Sequence, residues 1–286
     1  MKSVLVAMEQ TPLMPPVLES AHRVAERFRS YVEGVAVRTE PAEVGPIAEV
    51  YAAGRLPPAR RGPQFAQQAC EQFETFMEAR SVPRGDTETS VKKSEYTCGW
   101  RAGDPLSDGD VAIYARAFDL AVFARHDLGN ILDRENACQA ALFESGRPVL
   151  IAPPSLPRTF GEAVLIHWNG SAETARTIAL AMPILAKARR VFVLTLEGGT
   201  LVARARPGSG EQLAGHLALS GIDVEHRSVH LDRQGPGETI LAEAASVDCD
   251  LLVKGAYTQS RFRQMIFGGA TRHILEKSQL PVFMAH

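Results

Sequence analysis

The chain has 286 residues, of which 45% are hydrophobic and 22% charged, a composition typical of a globular protein long enough for two domains. Its formal net charge of −2 argues against nucleic acid or an anionic membrane as partner, and no apolar run reaches the roughly eighteen residues of a membrane span. The first residues show no signal-peptide pattern, so we expect a cytoplasmic protein. The four cysteines lie far apart and form no zinc or redox motif.

Apolar periodicity predicts alternating strands and helices along the first half of the chain. The predicted strands are 3–8, 31–37, 88–96, 120–123 and 148–152, and the predicted helices are 15–29, 64–79, 104–116 and 136–144. Residues 39–63 are rich in Pro and Gly and include Arg55, Arg60 and Arg61. We interpret them as a long surface excursion, either a plain insertion or a mobile flap.

The second half repeats this order after a stiff Pro-rich linker, 153–157. The predicted strands are 163–166, 191–194, 224–229, 251–253 and 281–284. Four helices are predicted: the first follows Ser171 or its neighbour as N-cap, the second and third cover 210–219 and 238–245, and the fourth begins at Gly268-Gly269. The segment Val4–Glu9 aligns with Val164–Asn169, and Asp119–Val122 aligns with Asp250–Val253. This internal repeat predicts two similar domains, 1–155 and 159–286.

Strands that alternate with helices indicate an α/β fold, in which each domain is a doubly wound parallel sheet with helices on both faces. Ligands of such sheets bind beyond the carboxyl ends of the strands, where the strand order reverses. We expect the first and fourth strands of each half to border that point. The last strands of the two halves, 148–152 and 281–285, should pair with each other, because apolar edge strands need covering.

One stretch near the end of the chain suggests a binding site. Residues 250–275 read as a buried strand ending at Gly255, a polar loop with Arg261, and a helix that begins at Gly268-Gly269 and contains Thr271. The first N–H groups of a helix have no internal partner, and the helix dipole adds about half a positive charge there, so this start is an anion site. The alternative is a tight turn followed by an ordinary solvated loop.

The same stretch resembles the carboxyl-terminal segment of the universal stress protein family. Nucleotide-binding members of that family carry Gly, two residues, Gly, nine residues, Gly, and then Ser or Thr. Gly255 and Gly268 match this pattern, whereas Thr258 and Gly269 depart from it. The resemblance extends over essentially the whole chain, and it implies a tandem, two-domain member with five strands per domain in the order 3-2-1-4-5.

The resemblance also implies a ligand, ATP or AMP, in the second domain. The residues expected around it are Asn169 near the nucleoside and Gly255, Thr258, Arg261, Gly268, Gly269 and Thr271 near the phosphates. In the first domain Glu9 and Ala124 stand where Asn169 and Gly255 stand in the second, and no glycine pair precedes the helix at 136–144. We therefore expect the first domain to have lost its nucleotide site.

An alternative function is a stress scaffold, or a binder of another small ligand, that takes no nucleotide. It follows from Thr258, whose Cβ restricts the approach of a phosphate, and from Gly269, which lacks a hydroxyl group. The sequence has no catalytic motif, and residues 250–275 show no general base or magnesium-binding carboxylate, so we expect no enzyme, with a weak ATPase activity as the lower-ranked alternative. Single-domain relatives dimerise through their last strands, which makes this chain an expected pseudo-dimer, with further association into a homodimer left open.

Overall fold

A computed structural model of the protein describes residues 1–38, 62–88, 95–125, 136–155, 159–198, 205–231, 235–256 and 269–286. The strands are β1 Ser3–Met8, β2 Tyr31–Ala36, β3 Thr97–Trp100, β4 Leu120–Phe123, β5 Val149–Ile151, β6 Ala163–His167, β7 Arg190–Glu197, β8 Val224–His230, β9 Leu251–Gly255 and β10 Val282–Ala285. The helices are α1 Met14–Phe28, α2 Gly62–Glu78, α3 Asp108–Ala115, α4 Ala137–Glu144, α5 Ala172–Leu185, α6 Ser209–Leu219, α7 Pro236–Ser246 and α8 Gly269–Lys277. Within these ranges no helix is long and apolar enough to cross a membrane.

All ten strands form one sheet in the order β3-β2-β1-β4-β5-β10-β9-β6-β7-β8. Each half contributes five parallel strands in the order 3-2-1-4-5, so the predicted fold class and strand order are confirmed. The first and fourth strands are neighbours in both halves, as β1 with β4 and as β6 with β9. The strand order therefore reverses at these two places.

The two halves join through their last strands, as expected from the sequence. Strands β5 and β10 pair in antiparallel orientation, with Leu150 opposite Phe283. Both side chains are fully buried. The antiparallel pair closes the edge that each five-stranded sheet would otherwise expose.

Each face of the sheet is covered by a layer of helices. Alternate residues of one strand point to opposite faces, so Val4 and Val6 belong to an apolar cluster that includes residues of α1, α2, α5 and α6, whereas Leu5 and Ala7 belong to one that includes residues of α3, α4, α7 and α8. Both apolar clusters contain residues of both halves. The near-continuous apolar runs of the central strands follow from this burial on two sides.

Two carboxylates hold the first and fourth strands together at equivalent places in the repeat. Asp119, just before β4, accepts a hydrogen bond from the backbone N–H of Ser3 at 3.3 Å. Asp250, just before β9, accepts one from the backbone N–H of Ala163 at 3.1 Å. The sequence alignment of Asp119 with Asp250 thus corresponds to the same contact in each half.

Polar contacts also cross between the halves on the surface. Arg27 at the end of α1 donates to the carboxylate of Glu162 and to the backbone carbonyl of Lys187, and the ammonium group of Lys187 donates to the carbonyl of Arg27 at 2.9 Å. Elsewhere Arg125 donates to the carbonyl of Ser278 at 2.8 Å. The reciprocal contact of Arg27 and Lys187 joins the ends of α1 and α5, which are equivalent helices of the two halves.

Some predicted boundaries are wrong. Residues 87 and 88 are helical, 95 and 96 belong to no strand, and β3 lies at Thr97–Trp100, while 89–94 are outside the described residues. Alternation alone cannot locate an edge strand, because its position depends on the register with β2, where Tyr31 lies opposite Thr97. Helix α3 begins four residues later than predicted, after Ser107, whose hydroxyl group accepts from the N–H of Asp110 and forms the N-cap.

Truncation of Phe283 tests the junction of the two halves. Because its ring is fully buried at the β5–β10 pair, Phe283→Ala should lower the free energy of unfolding by about 3–5 kcal/mol. Leu219→Ala is the control, since the Leu219 side chain is 85% exposed. Urea denaturation followed by circular dichroism measures both, and a similar small loss for the two variants would contradict the packing described.

Candidate functional site

The second half has a corner where β6 and β9 end side by side and where α5 and α8 begin. Strands β6 and β9 are parallel, and His167 lies opposite Lys254 in their register. From β6 the chain continues to β7 on one side, while β9 lies on the other. This arrangement is the crossover point at which open α/β sheets bind ligands.

Asn169 shapes the turn from β6 into α5. Its side-chain oxygen accepts hydrogen bonds from the backbone N–H of Ser171 at 3.1 Å and from the hydroxyl group of Thr174 at 2.6 Å. Ser171 is the N-cap of α5, as expected, and accepts from the N–H of Thr174 at 3.2 Å. The oxygen of Asn169 thus serves the turn, whereas among the described residues none accepts from its side-chain nitrogen.

Gly255 ends β9 against the first turn of α5. A Cβ atom at this position would lie 2.5 Å from both the backbone nitrogen and the hydroxyl oxygen of Thr174. Thr174 is itself only 1% exposed, so it has no room to move away. A glycine at position 255 therefore permits the contact between β9 and α5, and the space beside it is already taken by the protein.

Lys254 is a buried cation at this corner. Its side chain is 6% exposed, and its ammonium group donates to the carbonyl of Gly255 at 3.0 Å and to the hydroxyl group of Thr271 at 2.7 Å. Burial lowers the pKa of Lys254 to about 8. Among the described residues no carboxylate forms an ion pair with it, so the charge is held by neutral oxygens alone.

His167 lies beside Lys254 and is equally buried. Burial, followed by the charge of Lys254, lowers the pKa of His167 to about 3, so the imidazole is neutral at physiological pH. Its Nδ1 atom is buried and has no hydrogen-bond partner in the described ranges of the chain. The burial is typical of a core residue, but core histidines usually have hydrogen-bond partners on both ring nitrogens.

The structure brings three of the predicted site residues into one series of contacts. It runs from Asn169 through Thr174 to Gly255, and from there through Lys254 to Thr271. Gly269 lies exposed at the start of α8, and a Cβ atom there would meet no atom of the described residues within 4 Å. The remaining predicted residues, Thr258, Arg261 and Gly268, lie outside the described residues.

The corresponding corner of the first half is chemically different. The repeat places Ala7 and Phe123 where the second half has His167 and Lys254, and both are fully buried. Ala124 takes the place of Gly255 and is also buried, as is the carboxylate residue Glu9. The loss of a nucleotide site in this half stays a prediction.

Sequence reasoning missed Lys254 and Thr174. A lysine inside the apolar run of β9 was the available signal, because a strand covered on both faces seldom contains a charge. For Thr174 no such signal exists, since a threonine in the first turn of a helix is ordinary. Its contact with Gly255 depends on how β9 and α5 approach each other.

Substitution of Gly255 tests the contact with α5. Gly255→Ala should lower the free energy of unfolding by about 1–3 kcal/mol, because the added methyl group meets backbone atoms of Thr174. Gly215→Ala, in the exposed middle of α6 with open space around the new Cβ atom, should instead raise it by about 0.5–1 kcal/mol. Chemical denaturation of the two variants checks the difference, and a stabilised Gly255→Ala variant would refute the contact.

Replacement of Lys254 by Met tests the buried charge. At pH 7 the variant should have a higher free energy of unfolding, by up to about 3 kcal/mol, because it removes an ammonium group whose pKa is lowered on folding. Between about pH 8 and the ordinary lysine pKa the unfolded wild type binds more protons than the folded one, so its stability rises with pH and the advantage of Lys254→Met shrinks.

Denaturation at several pH values from 7 to 10 measures this trend. Lys277→Met, which removes an exposed lysine in the last turn of α8, is the control. A stability difference between Lys254→Met and wild type that does not change with pH would show that the ammonium group is not buried as described.

Comparisons with known proteins match one family model to part of the chain and support the fold of the whole. Residues 186–286 match the model of the Universal stress protein family. The matched residues include Lys254, Gly255, Gly269 and Thr271 but not Asn169. Among curated proteins, no sequence matches this chain.

Solved structures cover both halves. A universal stress protein from Archaeoglobus fulgidus is similar with a TM-score of 0.68 and 13% identity, over 99% of this chain and 95% of its own. A putative universal stress protein from Pseudomonas aeruginosa is similar with a TM-score of 0.53 and 14% identity, over 100% of this chain and 93% of its own. At these identities the likeness establishes the fold alone. A universal stress protein solved in complex with cAMP is similar over 44% of this chain and 96% of its own, at 21% identity, but its TM-score of 0.35 supports no argument.

Proposed function

We propose, because residues 186–286 match the model of the Universal stress protein family, that the protein is a cytoplasmic stress-response protein that binds an adenine nucleotide, ATP or AMP, in its second half. The binding site is the corner between β6 and β9. The proposed activity is binding, and no residue is assigned a catalytic role.

The observation that carries the proposal is the continuous series of contacts from Asn169 to Thr271 around the crossover point. The side-chain nitrogen of Asn169, which meets no acceptor among the described residues, is a hydrogen-bond donor for the nucleoside end. The start of α8, where the first N–H groups have no partner within the helix and the helix dipole is positive, suits the phosphate end. Gly269 leaves open space at that start, so the backbone is accessible to a phosphate.

The second candidate is a scaffold or small-ligand binder that takes no nucleotide. It is favoured because several groups at the corner already make contacts within the protein. The oxygen of Asn169 serves the turn, the space beside Gly255 is filled by Thr174, and the hydroxyl group of Thr271 accepts from Lys254. A ligand that needed all three would have to displace internal hydrogen bonds. We therefore expect modest nucleotide affinity.

We further propose that the two halves, 1–155 and 159–286, are two domains that form an intramolecular pseudo-dimer. The antiparallel pairing of β5 with β10 and the reciprocal bonds of Arg27 and Lys187 support it. Both contacts join equivalent elements of the repeat, as a two-fold interface does. The first domain then has the role of a structural partner.

A hydroxyl group added at the start of α8 tests the nucleotide site. Gly269→Ser restores the Ser or Thr of the family pattern at a position with open space, and it should tighten ATP binding about tenfold, the effect of one hydrogen bond to a charged group. Gly269→Ala adds the same Cβ atom without the hydroxyl group and should leave the affinity close to that of wild type. Isothermal titration calorimetry with ATP and AMP measures all three proteins.

Two results would decide against the proposal. Absence of binding up to millimolar ATP and AMP in both wild type and Gly269→Ser would favour the scaffold function. Equal gains for Gly269→Ser and Gly269→Ala would show that helix stability, and not contact with a phosphate, changes the affinity.

A further inference from the structure

Within the part of the chain that the structure describes, no negative group pairs with the buried cation at the second-half corner. Lys254 lies under the first turn of α8, where it donates to Thr271. That turn contains no acidic residue, and its dipole places additional positive charge at the same point. The ammonium group and the positive end of the helix dipole repel each other in this buried environment, because no anion lies between them in the described part of the chain.

The ammonium group and its neighbour have unused hydrogen-bonding capacity. An ammonium group has three donors, and only two acceptors, the carbonyl of Gly255 and the hydroxyl group of Thr271, contact Lys254 within the described residues. The Nδ1 atom of His167 is buried and has no partner among the described residues, and its side chain lies beside that of Lys254 on the same face of the sheet. A buried polar atom without a partner is costly, so its presence needs an explanation.

The fold itself does not require these two residues. In the first half the same places are taken by Ala7 and Phe123, which are fully buried within the apolar layer. The equivalent strands pair in the same register. The pair of basic residues is therefore an addition to one half, and a structural tether of α8 alone does not account for the unpartnered imidazole.

We propose that Lys254, with His167 beside it, makes this corner selective for the charge of a ligand's phosphate groups. The inference rests on the proposed nucleotide function and adds the determinant of specificity. The phosphate accepts from Lys254, compensates the positive charge at the start of α8, and gives the imidazole a partner. Affinity then rises from adenosine to AMP and further to ADP and ATP, since each added phosphate brings negative charge to a poorly screened place.

The experiment compares wild type with Lys254→Met by isothermal titration calorimetry at pH 7. Methionine retains the length of the side chain without its charge, and the apolar Phe123 at the equivalent place shows that the fold accepts an apolar residue there. The ligands are adenosine, AMP, ADP and ATP, and inorganic pyrophosphate is the probe without a nucleoside. Lys187→Met controls for the loss of one positive charge elsewhere on the protein, and circular dichroism verifies that each variant is folded.

We expect wild type and Lys187→Met to bind ADP at least tenfold more tightly than adenosine. Lys254→Met should bind adenosine like wild type but lose at least tenfold in affinity for ADP and for pyrophosphate. A tether of α8 without a ligand role would instead weaken all ligands, adenosine included, by one common factor, and this result would overturn the inference.

The other outcomes separate the inference from the function on which it rests. Pyrophosphate that binds wild type but not Lys254→Met, with no contribution from adenosine, would support the phosphate subsite and refute the nucleotide function. Nucleotides that bind wild type and Lys254→Met with the same dependence on phosphate number would support the function and overturn the inference. Absence of pyrophosphate binding to wild type would also overturn it.

Discussion

The pairing of the first strand with the fourth strand in each half decides where the rest of the structure lies. Asp119 and Asp250 hold the starts of these pairs through hydrogen bonds to the neighbouring strand. Because β6 and β9 end at the same level, the helices that follow them begin close together. The series of contacts from Asn169 to Thr271 exists only because these two strands are neighbours, although the residues are far apart in sequence.

Much of the fold could be predicted from the sequence. Several features depend on residues that are near one another in the sequence and could therefore be recognised there. They are the apolar runs of the central strands, the repeated Asp before the fourth strand and the Ser171 cap. The pairing of the last strands followed from the need to cover apolar edges. The predicted position of β3 was wrong because the register with the neighbouring strand determines where an edge strand lies. The predicted start of α3 was wrong because the hydroxyl group of Ser107 caps this helix and sets its first residue.

The candidate site was less predictable than the fold. Asn169, Gly255 and Thr271 do meet at one corner, but each makes an internal contact that sequence spacing cannot reveal. Gly255 illustrates the difficulty, since the close approach that a glycine permits is made by the first turn of α5 and not by a ligand. Lys254 was overlooked because it stands within an apolar strand, yet its buried charge is the feature that most distinguishes the two halves.

The antiparallel pairing of β5 with β10 places the carboxyl ends of the strands of the two halves at opposite edges of the sheet. Since the strands of the two halves run oppositely, the carboxyl ends of one half lie at the edge of the sheet where the strands of the other half begin. One rim of the sheet therefore carries the buried ammonium group of Lys254, and the opposite rim carries the buried carboxylate residue Glu9. The two edges of this repeated fold therefore differ in chemistry, and a molecule that binds at one edge meets groups that are absent from the equivalent corner at the other edge.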